Sequence, residues 1–512
     1  MTTTMAITSV LIVCFFAVMI IIGIRSRKHA TDVNGFVLGS RSVGPWLSAF
    51  AFGTSYFSAV IFVGYAGQFG WTFGLSSTWI GLGNAFIGSL LAWTVLGRRT
   101  RIMTQHLSSK TMPDFFGARF DSQALKIAAS AITCVFLIPY TASLYNGLSR
   151  LFSMAFNNVD YSVCVIVMAV LTGIYVLIGG YMATAINDFI QGMIMLGGIV
   201  MVILAVLNDN GGLMAAMEGI ATSDNGGWAY TSFLGPDPLF LLFVVMLTSL
   251  GTWGLPQMVG KFYAIKNEDS IKKGTVISTF FAIVVAGGCY FLGGFGRLYN
   301  IDVANTGFDA IIPAMLSTLS PMVIGVVIVL VLSASMSTLS SLVLTSGSTL
   351  TLDFVTPVSK KEISEERKML IMRIFIVIFI IISAIIAIKQ ARSKSLFIAQ
   401  MMGVSWGALA GSFLAPLLYG LYWKKTTKAA CWCSYIWGSG LMIMNLLFKS
   451  SFPEILQSPI NAGALAMLAG LIIVPVVSLI TPKPDDKLVT DCFSCYDREV
   501  KVHARFSLGD EE

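Results

Sequence analysis

Ser333 to Leu350 reads SASMSTLSSLVLTSGSTL, a run dense in hydroxyls inside an apolar stretch long enough to cross a bilayer. In hydrocarbon an unpartnered hydroxyl is costly, so these side chains must be satisfied by backbone, by neighbouring helices or by something bound. On a helix, Ala334, Ser337, Thr338 and Ser341 fall on one face at spacings of three and four residues. Two readings of that face are open: small residues that let helices approach closely, or hard oxygen donors for a desolvated alkali cation. The second needs oxygens from other helices and a negative charge to offset the ion. One acid stands out for that role. Asp188, in IGGYMATAINDFIQGMIML, lies about one turn inside an otherwise apolar span. Ionisable groups within a membrane mark ion or solute pathways, although an acid at a helix start also serves as a cap.

The elements that must position these groups are membrane spans. The chain has 512 residues, 56% hydrophobic and 12% charged, which excludes a soluble globular protein and makes it a polytopic membrane protein. Its formal net charge of +7 matters less than where the charges lie. Apolar windows of about 20 residues fall near 5–24, 45–70, 75–97, 127–150, 161–180, 186–207, 237–260, 275–296, 321–350, 370–388, 396–423, 429–447 and 461–480. The first ends in Arg25, Arg27 and Lys28, whereas a cleaved signal carries its charge in front, so it reads as a retained helix. With the N-terminus outside, the inner segments collect 27 of the 33 Lys and Arg. The outer ones hold six, Arg150, Arg297, Lys389, Arg392, Lys394 and Lys449. That bias predicts an outside N-terminus and a cytoplasmic C-terminus. The segment 208–238 is then a long outer loop, and 98–126 an inner loop whose TMPDFFGARF reads as a short interfacial helix. The eight cysteines lie mostly in apolar spans and form no disulfide framework. Cys492-x-x-Cys495 in the polar tail has no second pair to complete a metal site, so an inert reduced tail competes with metal or redox chemistry there.

Two spans look broken. Phe50 to Trp71 is interrupted by Gly53, Thr54, Ser55, Ser58, Gly64 and Gly67, and TSLGTWGLPQMVGK holds Gly251, Gly254 and Pro256 within one helix length. The first opens the five spans after the initial helix and the second opens the next five. Discontinuous helices at matching positions of two halves point to a transporter with inverted repeats and a midplane site; ordinary kinked helices are the alternative. No GxxxxGK[ST] loop, HExxH helix or GxSxG elbow occurs, so ATP-driven transport and the common membrane hydrolases lack their machinery. His29, His106 and His503 lie in inner loops or the tail, which argues against a buried histidine proton relay.

Taken together and in order, GSRSVGPWLSAFAFGTSYFSAVIFVGYAG, KTMPDFFGARF, IGGYMATAINDFIQ, GTWGLPQMVGKFYAIK, SASMSTLSS and LYWKKTTKAA resemble the sodium/solute symporter family, the group of sodium/proline, pantothenate, sialic acid and sodium/glucose carriers. The resemblance runs from about residue 5 to 450. It implies an all-α polytopic membrane protein of LeuT-type fold with two inverted five-helix repeats and about 13 transmembrane helices. The implied organisation is a leading helix (1–30), a ten-helix core (31–425), two C-terminal helices (426–481) and a cytoplasmic tail (482–512). It also implies a conserved sodium site. Matched by motif, that site takes the carbonyls of Thr54, Phe57 and Ala334 and the hydroxyls of Ser337 and Thr338. A second sodium position, found in a subset of the family, matches Asp188 with Ser337, Ser340 and Ser341.

By the same resemblance the solute pocket draws on Ser58, Ile61, Asn84, Tyr140, Ser249, Thr252, Trp253, Gln257 and Gln400, a neutral, amide- and hydroxyl-rich set with an aromatic wall. Where proline carriers have an Asp just before the first-helix Ser this chain has Tyr56, and two aromatic positions of their sixth core helix are Thr248 and Thr252. The Arg of sialic acid carriers has no equivalent near Ile138-Pro139-Tyr140. Both departures count against those two solutes. The expectation is a sodium-coupled symporter in the cell membrane, importing a small polar solute of amino acid or carboxylate type, with sodium as coupling ion and no nucleic-acid partner. A sugar carrier and a solute sensor that keeps the fold are the alternatives. Neither the oligomeric state nor the number of sodium ions per cycle is legible.

Overall fold

The computed structural model describes residues 3–156, 159–359, 361–393 and 398–497. Helices account for nearly all of it, and among the described residues the only strand-like pairing is one isolated bridge between Val43 and Ile265. Among the described residues ten helices are long and apolar enough to cross a membrane, or eleven when one bent pair counts as a span. The thirteen windows do not emerge as thirteen separate helices because two of the ten, Val60–His106 and Tyr161–Asp209, run for 47 and 49 residues. At about 1.5 Å per residue each is more than twice the roughly 30 Å of a hydrocarbon core. Each contains a glycine in a conformation that helices exclude: Gly74 at φ 65° and ψ −140°, Gly180 at φ 55° and ψ −150°. A Cβ at Gly180 would also stand 2.8 Å from the Phe36 ring, so both backbone and space require glycine there.

Both interrupted spans do break. In the first, helix Pro45–Tyr56 ends, Phe57 is extended (φ −101°, ψ 94°), and helical structure resumes as a π-turn over Val60–Tyr65 and a helix over Ala66–Phe73. Gly53 is not the break; it lies one turn earlier, inside the helix. In the second, Pro238–Leu250 tightens through Gly251–Gly254, Leu255 is extended (φ −89°, ψ 120°), and Pro256–Tyr263 departs at 47°. Pro256 suits the restart, since the first helical residue needs no N–H donor and favours the φ that proline fixes.

The hydroxyl run forms a single helix, Pro321–Thr349, with every residue from Leu330 to Leu344 buried. It packs on Tyr161–Asp209, on Gln123–Ala155 and on the first half of the broken helix, Pro45–Tyr56. A helix buried on all sides belongs to the core rather than to the lipid face. Ile398–Tyr422, buried over almost its whole length, shares that core, whereas Ala6–His29 is mostly unburied and peripheral.

On the side of the 98–126 segment, TMPDFFGARF supplies the expected short helix, Met112–Arg119, capped by the Thr111 hydroxyl accepting from Asp114 N–H. Arg41 ties that face together, its guanidinium reaching the carbonyls of Tyr263 (3.0 Å), Thr104 (3.2 Å) and Ser109 (2.6 Å). The tail is not free in solvent over its described part. Helix Asp486–Ser494 docks on this face with Cys492 and Cys495 buried, Arg119 over the Phe493 ring, and Arg99 between the rings of Tyr422 and Tyr496. Residues 498–512 of the expected tail lie outside the described residues. The 208–238 segment carries a ten-residue helix, Leu213–Thr222, that its Gly and Asn content had read as loop.

Candidate ion and solute site

The break in the first interrupted helix faces the hydroxyl helix. Carbonyls in the last turn before a break have lost their N–H partners four residues on, so they remain available to other groups. Thr338 Oγ1 stands 3.1 Å from the Thr54 carbonyl, 3.1 Å from the Ala334 carbonyl and 3.4 Å from the Ser55 carbonyl. Ser337 Oγ stands 3.1 Å from the same Thr54 oxygen and 3.2 Å from that of Ala334. Two hydroxyls carry two protons between them and face three carbonyls from two helices. The cluster is therefore rich in acceptors, all fully buried, as a small hard cation requires. Thr54 contributes through its backbone alone, because its hydroxyl donates to the Phe50 carbonyl (2.8 Å). Phe57 and Ala334 line one small, mostly apolar cavity beside the cluster. The Ser55 carbonyl was absent from the expected set; its residue type gave no sign of a backbone role.

Asp188 lies about two turns past the Gly180 break, too deep to cap a helix start, and is fully buried. Beside it is a residue that the sequence had assigned elsewhere. Lys261, counted above among the basic residues of the inner segments, is only 4% exposed and points into the protein. Its Nζ lies 3.6 Å from Asp188 Oδ2, donates to Ser341 Oγ at 2.8 Å and sits 5.3 Å from the Tyr181 ring centroid. Ser341 Oγ in turn shares a 2.7 Å hydrogen bond with Ser55 Oγ. Ser340 Oγ donates to the Ser337 carbonyl of its own helix at 2.8 Å. The expected second sodium position is thus where an ammonium stands. The available signal was a lysine five residues past Pro256 with apolar neighbours on both sides.

Of the expected solute residues, three are knit to one another and a fourth, Trp253, is tied to the Asn84–Leu91 segment that carries Asn84. Ser249 Oγ donates to Asn84 Oδ1 (3.0 Å), Thr252 Oγ1 reaches the Ser249 carbonyl (2.9 Å), and Trp253 Nε1 donates to the Ile87 carbonyl (3.1 Å). Tyr140 meets the Trp406 ring edge-on at 5.9 Å; Trp406 is 6.0 Å from Tyr56, which stacks on Phe57 at 4.2 Å. Trp406 was missed, and Tyr56 had been noted only as a departure. The Tyr56 hydroxyl donates to the Thr248 carbonyl at 2.5 Å. Ser58 Oγ accepts from Val60 N–H (3.2 Å) at the helix restart, and Ile61 is fully buried behind it. Gln257 lies apart from the knit group, in a narrow cleft of about 40 Å³ lined also by Lys261, Ser341, Tyr181, Lys110 and Thr111. Both of its amide atoms are buried without a hydrogen-bond partner among the described residues. Gln400 is half-buried near the start of Ile398–Tyr422.

Comparison with known proteins gives a consistent result. A sodium/proline symporter of Staphylococcus aureus (strain bovine RF122 / ET3-1) is 30% identical over 501 residues, 94% of each chain. Among solved structures, a substrate-bound, outward-open Na+-coupled sialic acid symporter matches with a TM-score of 0.74 at 17% identity, over 94% of this chain and 99% of that one. A manganese transporter of Eremococcus coleocola matches at 0.52 and 12% identity, over 88% and 96%. At such identities the structural likeness speaks for the shared LeuT-type fold alone. Residues 36–438, which hold both breaks and the hydroxyl helix, match the family model as well. On that match and on the full-length relative, the chain belongs to the sodium:solute symporter family.

Proposed function

We propose that this sodium-coupled symporter imports a small polar organic solute of amino acid or carboxylate type, with its coupling ion held by the carbonyls of Thr54, Phe57 and Ala334 and the hydroxyls of Ser337 and Thr338. The observation that carries the site is the excess of oxygens over protons where the break meets the hydroxyl helix. The ion joins two elements that have no covalent reason to stay together, and so couples its own binding to the closure of the break. At 100 mV one charge carried inward supplies about 2.3 kcal/mol, enough for more than tenfold accumulation of a neutral solute. The solute lies between the knit group of Asn84, Ser249 and Thr252 with Trp253, the Tyr140 wall with Ser58 and Ile61, and the amides of Gln257 and Gln400. Gln257 supports a polar solute, since its unpartnered buried amide offers one donor pair and one acceptor.

Uptake into proteoliposomes tests this directly. An inward sodium gradient should drive accumulation of one member of a panel of amino acids, carboxylates and sugars, and a sodium ionophore should collapse it. Proline heads the panel because of the S. aureus relative; Tyr56, held to Thr248, argues against it. Binding without flux would mean a sensor, and a response to sugars alone would replace the solute class.

The same proposal puts the N-terminus outside and the tail in the cytoplasm of the cell membrane, from the asymmetry of basic residues. Lys361 and Asp224 are both exposed and belong to segments of opposite expected side. In intact cells an impermeant thiol reagent should label Asp224→Cys and leave Lys361→Cys unlabelled until the membrane is permeabilised. The reverse pattern overturns the orientation.

A further inference from the structure

Lys261 and Asp188 form the one ion pair among the described residues in which both side chains are almost wholly withdrawn from solvent at the level of the break. Resting on the sodium-coupled reading of the site, we propose that Lys261 is a tethered cation that takes the place of a second sodium ion at Asp188, and so fixes the number of sodium ions bound per chain at one. Three observations carry it. The Lys261 ammonium already engages two of the four side chains of the expected second position, Asp188 at 3.6 Å and Ser341 at 2.8 Å. Of the other two, Ser340 has turned its hydroxyl to its own helix backbone and Ser337 faces the Thr54 and Ala334 carbonyls. The balance of charge then decides. A carboxylate with an ammonium sums to zero whichever of the two holds the shared proton, so no negative charge is left to hold a further cation away from water. The conserved cluster is a different case. It binds with neutral carbonyls and hydroxyls, which Lys261 does not contact directly.

The pair also has a reason to be weakly held. At 3.6 Å the Lys261–Asp188 contact is too long for a hydrogen bond, and neither Asp188 oxygen has a hydrogen-bonding donor among the described residues. Those oxygens remain ready ligands once the ammonium is removed. Removing it should therefore create a site rather than merely delete a contact. Lys261 is also linked to the first break, because Ser341 carries the hydrogen bond to Ser55, whose carbonyl faces Thr338. The tethered charge is thus a positioning residue for the broken helix as well as the counter-ion of Asp188.

The probe is sodium alone. Equilibrium binding of radioactive sodium to the purified full chain in nanodiscs, without solute, should saturate at one ion per chain in wild type, two in Lys261→Met, and one again in Lys261→Met/Asp188→Asn. Lys261→Arg, which keeps the charge, should bind one. Two ions in wild type, or one in a folded Lys261→Met, overturns the proposal while leaving sodium coupling intact. Should Lys261→Met fail to fold, the wild-type count decides, with one supporting and two refuting it. Absence of sodium binding in wild type sinks the sodium-coupled reading itself, an outcome distinct from a wrong count.

Discussion

Thr338→Ala should raise the sodium concentration for half-maximal uptake by about tenfold or more, with Ser337→Ala giving a smaller rise in the same direction. Thr338 Oγ1 stands within 3.4 Å of three carbonyls, those of Thr54 and Ser55 at the break and of Ala334 on its own helix. Ser337 Oγ reaches two of them. Losing one oxygen from a fully desolvated cluster costs about 1–3 kcal/mol, and about 1.4 kcal/mol is a tenfold change in affinity. Solute affinity should fall alongside at low sodium and recover at saturating sodium, because two ligands coupled through one equilibrium shift each other equally. Thr338→Ser retains the oxygen and should stay near wild type, which separates loss of a ligand from loss of packing. Sodium-dependent uptake measured over a range of sodium concentrations decides it. An unchanged half-saturation value in Thr338→Ala would remove the hydroxyl helix from the ion site.

Much of this arrangement was legible in the chain because membrane physics leaves few choices. Ser337 and Thr338 declared themselves by being polar where hydrocarbon demands partners, and Pro256 with Gly251 and Gly254 marked the second break by residue types that disfavour a regular helix. Gly180 was harder to see, since one glycine among several neighbours gives no sign that its φ must be positive. Backbone roles are the least legible of all. The Ser55 carbonyl faces Thr338 because the helix stops two residues later, a fact that depends on Phe57 being extended and not on serine chemistry. Lys261 was misassigned for a related reason. A lysine at the end of an apolar window looks like an interfacial anchor, and only the fold reveals that the break turns it inward to Asp188.

Gly53→Leu should abolish transport, while Thr54→Ala at the adjacent position should be mild. A Cβ added at Gly53 would stand 2.5 Å from Phe281 Cδ1 and 2.9 Å from its Cε1, closer than side chains tolerate. Phe281 cannot swing clear easily. It is buried, meets Phe50 edge-on at 5.3 Å and stacks on Phe57 at 6.2 Å. Phe57 is the extended residue of the break, so pressure at Gly53 passes through one ring to the backbone that presents the carbonyls proposed to hold the ion. Overpacking of a tight interior costs about 1–3 kcal/mol for a small excess of atoms, and a leucine adds three carbons beyond the clashing Cβ. Thr54→Ala, in contrast, deletes a hydroxyl bonded only to the Phe50 carbonyl one turn back and leaves the Thr54 carbonyl in place. Gly53→Ala should lie between the two. The route through Phe281 has its own signature, because Gly53→Ala combined with Phe281→Leu makes room at the contact and should recover uptake relative to Gly53→Ala alone. Uptake per mole of folded protein, normalised by size-exclusion yield, is the readout. Normal transport by Gly53→Leu with unchanged sodium dependence would mean that Phe281 does not hold the break, and the link from this glycine to the ion site would be lost.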